Sequence, residues 1–276
     1  MAGDLKGALA GQLSPAELER LVRSYDVVGD IAVIIVPDEL LPQKRRIAEA
    51  ILTRHRNIRV VARRAGHYGG EYRVVPLEII GGEERRETLH RENGVRLLLD
   101  LEKVYYSVRS GNERKRVASL VRESETVLVP FSGIGPYPLV IGRSQPGCRV
   151  VGIEKNPEAH AYALANLAHN RKIRNVTFLA GDVRELLPQL DTRFHRIVMP
   201  LPKSAGEYLG LALAALHRGG WLHFYDMREK GDFPAAVATV ERACRDSGRL
   251  LAEAAVTVAG HCSPRLFRIC VDVRVD

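Results

Sequence analysis

Cysteine is scarce: Cys148, Cys244, Cys262 and Cys270 are the four in a chain of 276 residues, with no Cys-x-x-Cys pair among them. That excludes a disulfide scaffold and leaves no zinc-binding pattern, so reduced thiols and no metal are expected. His90, His223 and His261 have no cysteine or carboxylate company that the sequence reveals, which favours structural roles over ligation. Long apolar runs are missing as well. Nothing approaches the ~20 residues of a membrane span, and residues 1–20 mix charges with small side chains instead of forming a signal peptide. A cytoplasmic chain, monomeric and without a membrane partner, is the expectation. No repeat, low-complexity tract or Ser/Pro-rich linker interrupts it. Acids are outnumbered: 33 Asp and Glu stand against 41 Lys and Arg, a net charge of +8. An excess of that size points to a polyanionic partner. What is abundant is ordinary globular material, 46% hydrophobic and 27% charged, enough to bury a substantial core.

Two patterns divide the chain. In the first third, Ser14 reads as an N-cap with Pro15 at the first helical position and Glu17 closing a capping box. Residues 30–36 read as a buried strand stopped by Pro37, and 43–56 as a helix with Ile47, Ala48, Ile51 and Leu52 on one face. Residues 58–62, 71–78 and 96–101 are further strands. This makes a small α+β domain over 1–107. From Thr126 onward strands alternate with helices: strands at 127–130, 149–154, 176–180, 195–199 and 221–225, helices at 137–144, 157–169, 205–217 and 234–247, then closing strands at 254–258 and 266–273. That is a doubly wound, Rossmann-like α/β domain over 108–276, with the boundary region at 106–125.

The chemistry-bearing stretch is Val127-Leu128-Val129-Pro130-Phe131-Ser132-Gly133-Ile134-Gly135-Pro136-Tyr137. An apolar strand runs into Gly-x-Gly and then a helix, so backbone can turn tightly and present free N–H groups to a ligand. The next strand ends in Glu154, 21 positions after Gly133, where a carboxylate can take both hydroxyls of a ribose. The third ends in Ala180-Gly181-Asp182-Val183-Arg184, an acid able to reach an exocyclic adenine amine. The longer Gly-x-Gly-x-x-Gly of nicotinamide folds is absent, since Val140 and Ile141 follow. S-adenosylmethionine fits better, and a class I methyltransferase domain is predicted for the second part.

Four blocks in succession carry a more specific resemblance: Val104-Tyr105-Tyr106-Ser107-Val108-Arg109-Ser110-Gly111-Asn112-Glu113-Arg114, Phe131 through Tyr137, Gly181-Asp182-Val183-Arg184-Glu185, and Met199-Pro200-Leu201-Pro202-Lys203-Ser204-Ala205. Over residues 25–276 the chain resembles the archaeal and eukaryotic tRNA (guanine-37-N1)-methyltransferases and their wybutosine-pathway relatives. The resemblance implies methyl transfer from S-adenosylmethionine to a guanine 3′ of the anticodon, with the first domain binding RNA. It implies Glu113 as general base toward guanine N1, Arg73 as the cation beside O6, and Arg109 and Arg114 as the arginines holding base and substrate. Phe131, Gly133, Gly135, Glu154, Lys155, Asp182, Val183 and Pro200 would contact the cofactor. Tyr106, Lys115, Arg116 and Pro202 join Arg114 on the substrate side. The chemistry is coherent by itself: a weakly acidic N–H must lose its proton as the methyl arrives, so a carboxylate and a cation near O6 form the needed pair. The base must also leave its stack to be reached.

The chain departs from the family pattern in three places. No acid precedes Phe131, Pro200 stands where many members carry Asn, and the chain is read as a short form lacking the N-terminal domain of longer members. Short length favours the wybutosine aminocarboxypropyltransferases, which use the same cofactor. Glu113 and Leu201-Pro202-Lys203 favour methyl transfer, and a non-catalytic RNA-binding module is the third reading. Bland alternatives stand beside the sharp ones. Lys44, Arg45, Arg46, Arg54, Arg56, Arg59, Arg63 and Arg64 are either a solvated face or a phosphate-binding one. His67, Tyr68, Tyr72 and Arg73, among Gly66, Gly69 and Gly70, are a hairpin tip or a stacking loop for flipped bases. Glu113 is otherwise a surface partner of Arg109 at i,i+4.

Overall fold

The computed structural model describes residues 5–276, so the first four positions of the expected 1–107 domain lie outside the described residues. The chain divides into two compact units. The first runs to Glu92 and takes in Arg96–Val108; the second comprises Asn93–Val95 and Arg109–Asp276.

In the first unit, α1 (Leu5–Ala8) and α2 (Pro15–Arg20) precede β1 (Tyr25–Val28), β2 (Ile31–Ile34), α3 (Lys44–Arg54), β3 (Val60–Arg64) and β4 (Leu77–Gly82). The hairpin β5 (Glu87–Glu92) and β6 (Val95–Asp100) follows. The capping box on α2 is formed in both directions: Ser14 Oγ accepts from the Glu17 N–H, and the Glu17 carboxylate from the Ser14 N–H. Strands β1 to β4 pair in chain order, with β2 and β3 parallel and the outer pairs antiparallel. α3 lays Ile47, Ala48 and Ile51 onto that sheet beside Leu40, Val61 and Ile80, while Leu52 packs at the edge of the cluster. The strand expected at 71–78 starts later, at Leu77. Residues 69–74 are instead a tight hairpin tip, in which the Gly69 N–H donates to the Val74 carbonyl at 3.0 Å and Arg73 takes a left-handed φ of 52°. β1 and β5 have no counterpart in the sequence reading, since one is four residues long and the other is mostly polar.

In the second unit, α4 (Gly111–Leu120) leads into β7 (Thr126–Pro130), α5 (Pro136–Ser144), β8 (Arg149–Glu154), α6 (Pro157–His169), β9 (Val176–Ala180) and α7 (Val183–Leu186). Then come β10 (Phe194–Met199), α8 (Leu209–Ala215), β11 (Leu216–Glu229), α9 (Phe233–Asp246), β12 (Leu251–His261) and β13 (Leu266–Val275). The seven strands lie in the order β12-β13-β11-β10-β7-β8-β9. β11, β10, β7, β8 and β9 are mutually parallel, and the β12–β13 hairpin is laid antiparallel against β11. Chain order reverses between β7 and β10, and the crevice beyond the carboxyl ends of strands at such a switch point is where α/β sheets bind ligands. Leu128, Phe194, Ile197, Leu222, Ile269 and Val271 fill the core, and α9 covers it with Ala236, Val240 and Cys244.

The helix expected at 205–217 is shorter than its apolar run suggests. A single 3-10 turn (Ala205–Tyr208) opens it, and the chain enters β11 at Leu216. Gly219, at φ 73°, and a register shift against β10 absorb the step, so β11 reaches 14 residues. Among the described residues no helix is long and apolar enough to cross a membrane.

Candidate active site

The glycine loop sits at the end of β7 and is held from three sides. Phe131 leaves the strand with φ 64°, and Gly133 and Gly135 follow at 56° and 88°. A bulky residue in the left-handed region is a strained one, and strain of this kind persists where surroundings over-determine it. Here the Phe131 ring packs edge-on against Tyr208 with 4.7 Å between centroids. Below the loop, the Ser132 N–H donates to the Ile153 carbonyl at 2.9 Å, and buried Asn166 donates to the Ile134 carbonyl at 3.0 Å. The two glycines differ in what surrounds them. A Cβ at Gly135 would lie 2.6 Å from the Phe178 ring, whereas one at Gly133 would meet nothing within 4 Å. Gly135 is therefore demanded by packing, and Gly133 opens onto space.

Two carboxylates finish the neighbouring strands. Glu154 Oε2 accepts from the Gly133 N–H at 2.6 Å and Oε1 from the Asn156 N–H at 2.7 Å. Burial pushes this carboxyl above the ordinary range, and the N–H groups of Asn156, Gly133 and Lys155 pull it back part of the way. Asp182 caps α7, accepting from the Arg184 N–H at 2.8 Å, and pairs with Lys155 at 3.0 Å. That backbone donor first, and then Lys155, hold its carboxyl below the usual range. Acceptors at two adjacent strand ends, beside free space over Gly133, suit an adenosine-bearing ligand: one carboxylate for the ribose hydroxyls and the other for an exocyclic amine. Val183 is buried behind Asp182 in the core cluster. Pro200 and Pro202 are half-buried in the turn after β10, where the Leu201 N–H donates to the Met199 carbonyl at 2.8 Å.

Glu113 is the centre of the second constellation. It lies in the first turn of α4 and is only 5% exposed, which overturns the reading of a surface partner for Arg109. Arg116, one turn on, grips it with both arms of its guanidinium, Nε on Oε2 and Nη2 on Oε1, each at 2.7 Å. From β11, the Tyr225 hydroxyl donates to Oε1 at 2.6 Å and accepts from the Tyr137 hydroxyl at 2.9 Å. A carboxylate offers about four lone-pair positions. Three are taken, both on Oε1 and one on Oε2, so the remaining acceptor position belongs to Oε2.

The network continues away from Glu113. Arg116 Nη1 donates to Asp272 Oδ2 at 2.7 Å, and Asp272 Oδ1 meets His223 Nδ1 at 2.5 Å. His223 Nε2 in turn lies 2.7 Å from Nη1 of buried Arg196, whose Nε reaches Glu125 at 2.7 Å. A guanidinium only donates, so Nε2 is the acceptor and the imidazole proton sits on Nδ1, directed at Asp272. The sequence reading of His223 as lacking carboxylate or cysteine company is thereby corrected: antiparallel β11 and β13 bring His223 opposite Asp272 and Tyr225 opposite Cys270. His223, Cys270 and Asp272 offer three ligand atoms within 4.8 Å of one another. Two guanidiniums already occupy the flanks of that cluster, which disfavours a cation.

Other residues singled out from the sequence are placed as follows. Arg109 is exposed, in the turn preceding α4. Of the three consecutive cations read as an RNA entry, Arg114 is 3% exposed with its guanidinium 5.9 Å from the Tyr137 ring centre, Arg116 is engaged by two carboxylates, and Lys115 is exposed. Tyr106, expected to touch substrate, is buried and donates to Glu92 at 2.8 Å. Its neighbour Tyr105 is the exposed ring, 5.6 Å from Tyr68, over which Arg64 is stacked at 5.3 Å. One position of offset along the chain decides which of two adjacent tyrosines is outside, and the sequence motif did not resolve it. Arg73, at the hairpin tip, belongs to the first unit. In the basic run, Lys44 and Arg63 both pair with Glu78, and Arg64 with Asp26 at 3.4 Å, so part of that charge is neutralised within the unit.

Parallel strands ordered about a switch point, a glycine loop and acids at the next two strand ends define a nucleotide-binding domain of the class I methyltransferase type. Residues 88–251 match the TRM5/TYW2 methyltransferase domain, and residues 5–85 match the TYW2 N-terminal domain; the chain belongs to this family. The tRNA (guanine(37)-N(1))-methyltransferase Trm5b of Pyrococcus abyssi is 36% identical over 264 residues, 95% of this chain and 78% of that one. Its crystal structure superposes with a TM-score of 0.86, covering 96% of this chain and 78% of that chain at 34% identity. The tRNA 4-demethylwyosine(37)-methyltransferase Taw21 of Saccharolobus solfataricus is 30% identical, with 92% of this chain and 94% of that one aligned. A complex of aTrm5 with tRNALeu gives a TM-score of 0.85 at 29% identity, covering all of this chain and 79% of that chain. The expectation of a short form lacking the N-terminal domain is overturned by the match at 5–85. The small α+β unit is itself such a domain, and a length argument could not show this because it weighs residues rather than their pattern.

Proposed function

We propose that the chain methylates N1 of guanine 37 in tRNA with S-adenosylmethionine as donor. The observation that carries the reading is Glu113: a buried carboxylate held by an arginine fork and a tyrosine, with one acceptor position left on Oε2, in the same unit as a nucleotide-binding loop. When bound, the cofactor supplies an electrophilic methyl on a sulfonium. Glu154 and Asp182 would hold its ribose and adenine, with Phe131, Gly133, Gly135, Lys155, Val183 and Pro200 around it. As the N1–carbon bond forms and the sulfur–carbon bond breaks, the N1 proton passes to Glu113 Oε2. Arg73 neutralises the charge that would gather on O6, and Arg109, Lys115 and Pro202 serve the RNA side. Arg73→Ala is expected to lower turnover more than RNA affinity.

The decisive experiment incubates the protein with tRNA carrying guanine at position 37 and with cofactor labelled separately on the methyl and on the methionine carboxyl. Methyl label alone in the RNA is expected. Carboxyl label would establish aminocarboxypropyl transfer instead, and label entering only a tRNA that carries 4-demethylwyosine at 37 would change the acceptor base. Cofactor binding also has a predicted pH dependence. The ionised Glu154 is the better acceptor for two hydroxyls, and its carboxyl titrates above the ordinary 4.5. Affinity measured by calorimetry should therefore weaken as pH falls through a point above that value and recover on the alkaline side. A profile that stays flat as pH rises from 4.5 to neutrality and beyond would remove Glu154 from the ribose.

A further inference from the structure

The proposed base does not stand alone, and the charges behind it form one continuous chain in which Arg116 and Glu125 are part-exposed and Asp272, His223 and Arg196 are buried. Arg116 could satisfy Glu113 with two of its nitrogens and leave the third to water, as a helix-surface pair would. Instead Nη1 is committed to Asp272, and Nη2 lies 3.2 Å from Asp272 Oδ1 as well as 2.7 Å from Glu113. The guanidinium plane is thus fixed by carboxylates on opposite sides, one from α4 and one from β13. Asp272 is itself oriented: Oδ1 accepts the His223 Nδ1–H, and Cys270 Sγ lies 3.2 Å from the same oxygen. Burial works to raise the Asp272 carboxyl, yet His223 and Arg116 draw it well below the ordinary range. Burial draws the His223 imidazole below its ordinary range, and Arg196 fixes its tautomer. Every charge in the row has a partner, which is the condition for keeping such groups out of water.

We propose that Asp272, acting through Arg116, is a positioning residue for Glu113: it locks the arginine fork so that the carboxylate presents Oε2, and no other atom, to the proton it must take. This rests on the reading of Glu113 as the base. The contacts of Asp272 are with Arg116, His223, Cys270 and Thr257, so it reaches Glu113 through the orientation of Arg116. Glu113 is contacted by Arg116 on its own helix and Tyr225 on β11, with Tyr137 on α5 behind Tyr225 and Asp272 on β13 behind Arg116. Removing the Asp272 charge frees the fork to rotate toward one oxygen, while the tyrosine pair and the helix stay in place.

The test is a double-mutant cycle on the full chain with tRNA and S-adenosylmethionine, read by single-turnover rate, by KM for tRNA, and by cofactor Kd from calorimetry. Asp272→Asn is expected to slow the chemical step by about 10²-fold, the scale of a sub-ångström to 1 Å misplacement, with tRNA KM and cofactor Kd within about three-fold. In a Glu113→Gln background the same substitution is expected to cost nothing further, because a residue that acts only through the base has no base left to act on. Arg116→Lys, which keeps the charge and loses the fork, should reproduce the Asp272→Asn loss if that variant folds poorly. Full-size slowing in the Glu113→Gln background, or a change in Kd or KM with the rate intact, would overturn the proposal. A Glu113→Gln variant as fast as the parent would instead overturn the base assignment on which it rests.

Discussion

Replacing Glu113 by glutamine is expected to leave cofactor affinity close to its starting value and to lower turnover by about 10²–10⁴-fold, the usual worth of a positioned general base. The substitution is nearly isosteric, so the loss reports chemistry. It also has a predictable cost in stability. Three donors converge on this carboxylate, two from Arg116 and one from Tyr225. An amide can accept through one atom only, so its NH2 group must face a donor, and a buried donor left without an acceptor costs about 1–3 kcal/mol. Reduced turnover together with a lowered unfolding midpoint is the expected pair of results. Unchanged turnover at neutral pH would eliminate Glu113 as the base.

The glycine loop offers the second large effect. Gly135→Ala forces a side chain into left-handed backbone, at about 1–2 kcal/mol, and drives its Cβ to 2.6 Å from the Phe178 ring. Overpacking of that kind adds about 1–3 kcal/mol. The sum is a serious fraction of the ~5–15 kcal/mol by which domains are stable. Gly133→Ala makes the comparison informative. It carries the same backbone cost but meets nothing within 4 Å, so its methyl enters the space over the loop. We expect Gly135→Ala to depress the denaturant midpoint strongly, and Gly133→Ala to depress it mildly while weakening cofactor binding. Equal midpoints for the two variants would contradict the packing role assigned to Phe178.

How much of this could be read beforehand follows from the distance over which each feature is specified. β8, α6 and β9 lie at the residues expected from the sequence, because buried parallel strands are bounded by local signals such as Asn156-Pro157 and Gly181-Asp182. The glycine loop, Glu154 and Asp182 are legible for the same reason: each sits where its own strand stops. The limits of β11 are not, since Gly219-Gly220 resembles a turn and is in fact absorbed within a strand whose partner β13 lies far along the chain. The support of Glu113 is the clearest case. Its motif was visible, but Tyr225, 112 positions away, and the His223–Asp272 pair behind Arg116 become neighbours only through sheet register. Register likewise converted Arg116 from a candidate phosphate contact into an internal clamp. The hairpin tip around Arg73 was one of two readings open for that stretch, and the strand expected from 71 starts late because the left-handed residue there is arginine where glycine would have announced the turn.

The link between Arg116 and Asp272 spans 156 positions and ends in the final strand. A chain leaving the ribosome therefore completes its glycine loop, and the acids beside it, while Arg116 still lacks its second carboxylate. β13 pairs with β11 and β12, so its arrival closes the sheet and the clamp in one event. Contacts this remote form late, because loop closure must be met before they reward it. The clamp on Glu113 is thus coupled to the docking of β13 onto β11, a step specified far from the glycine loop in sequence.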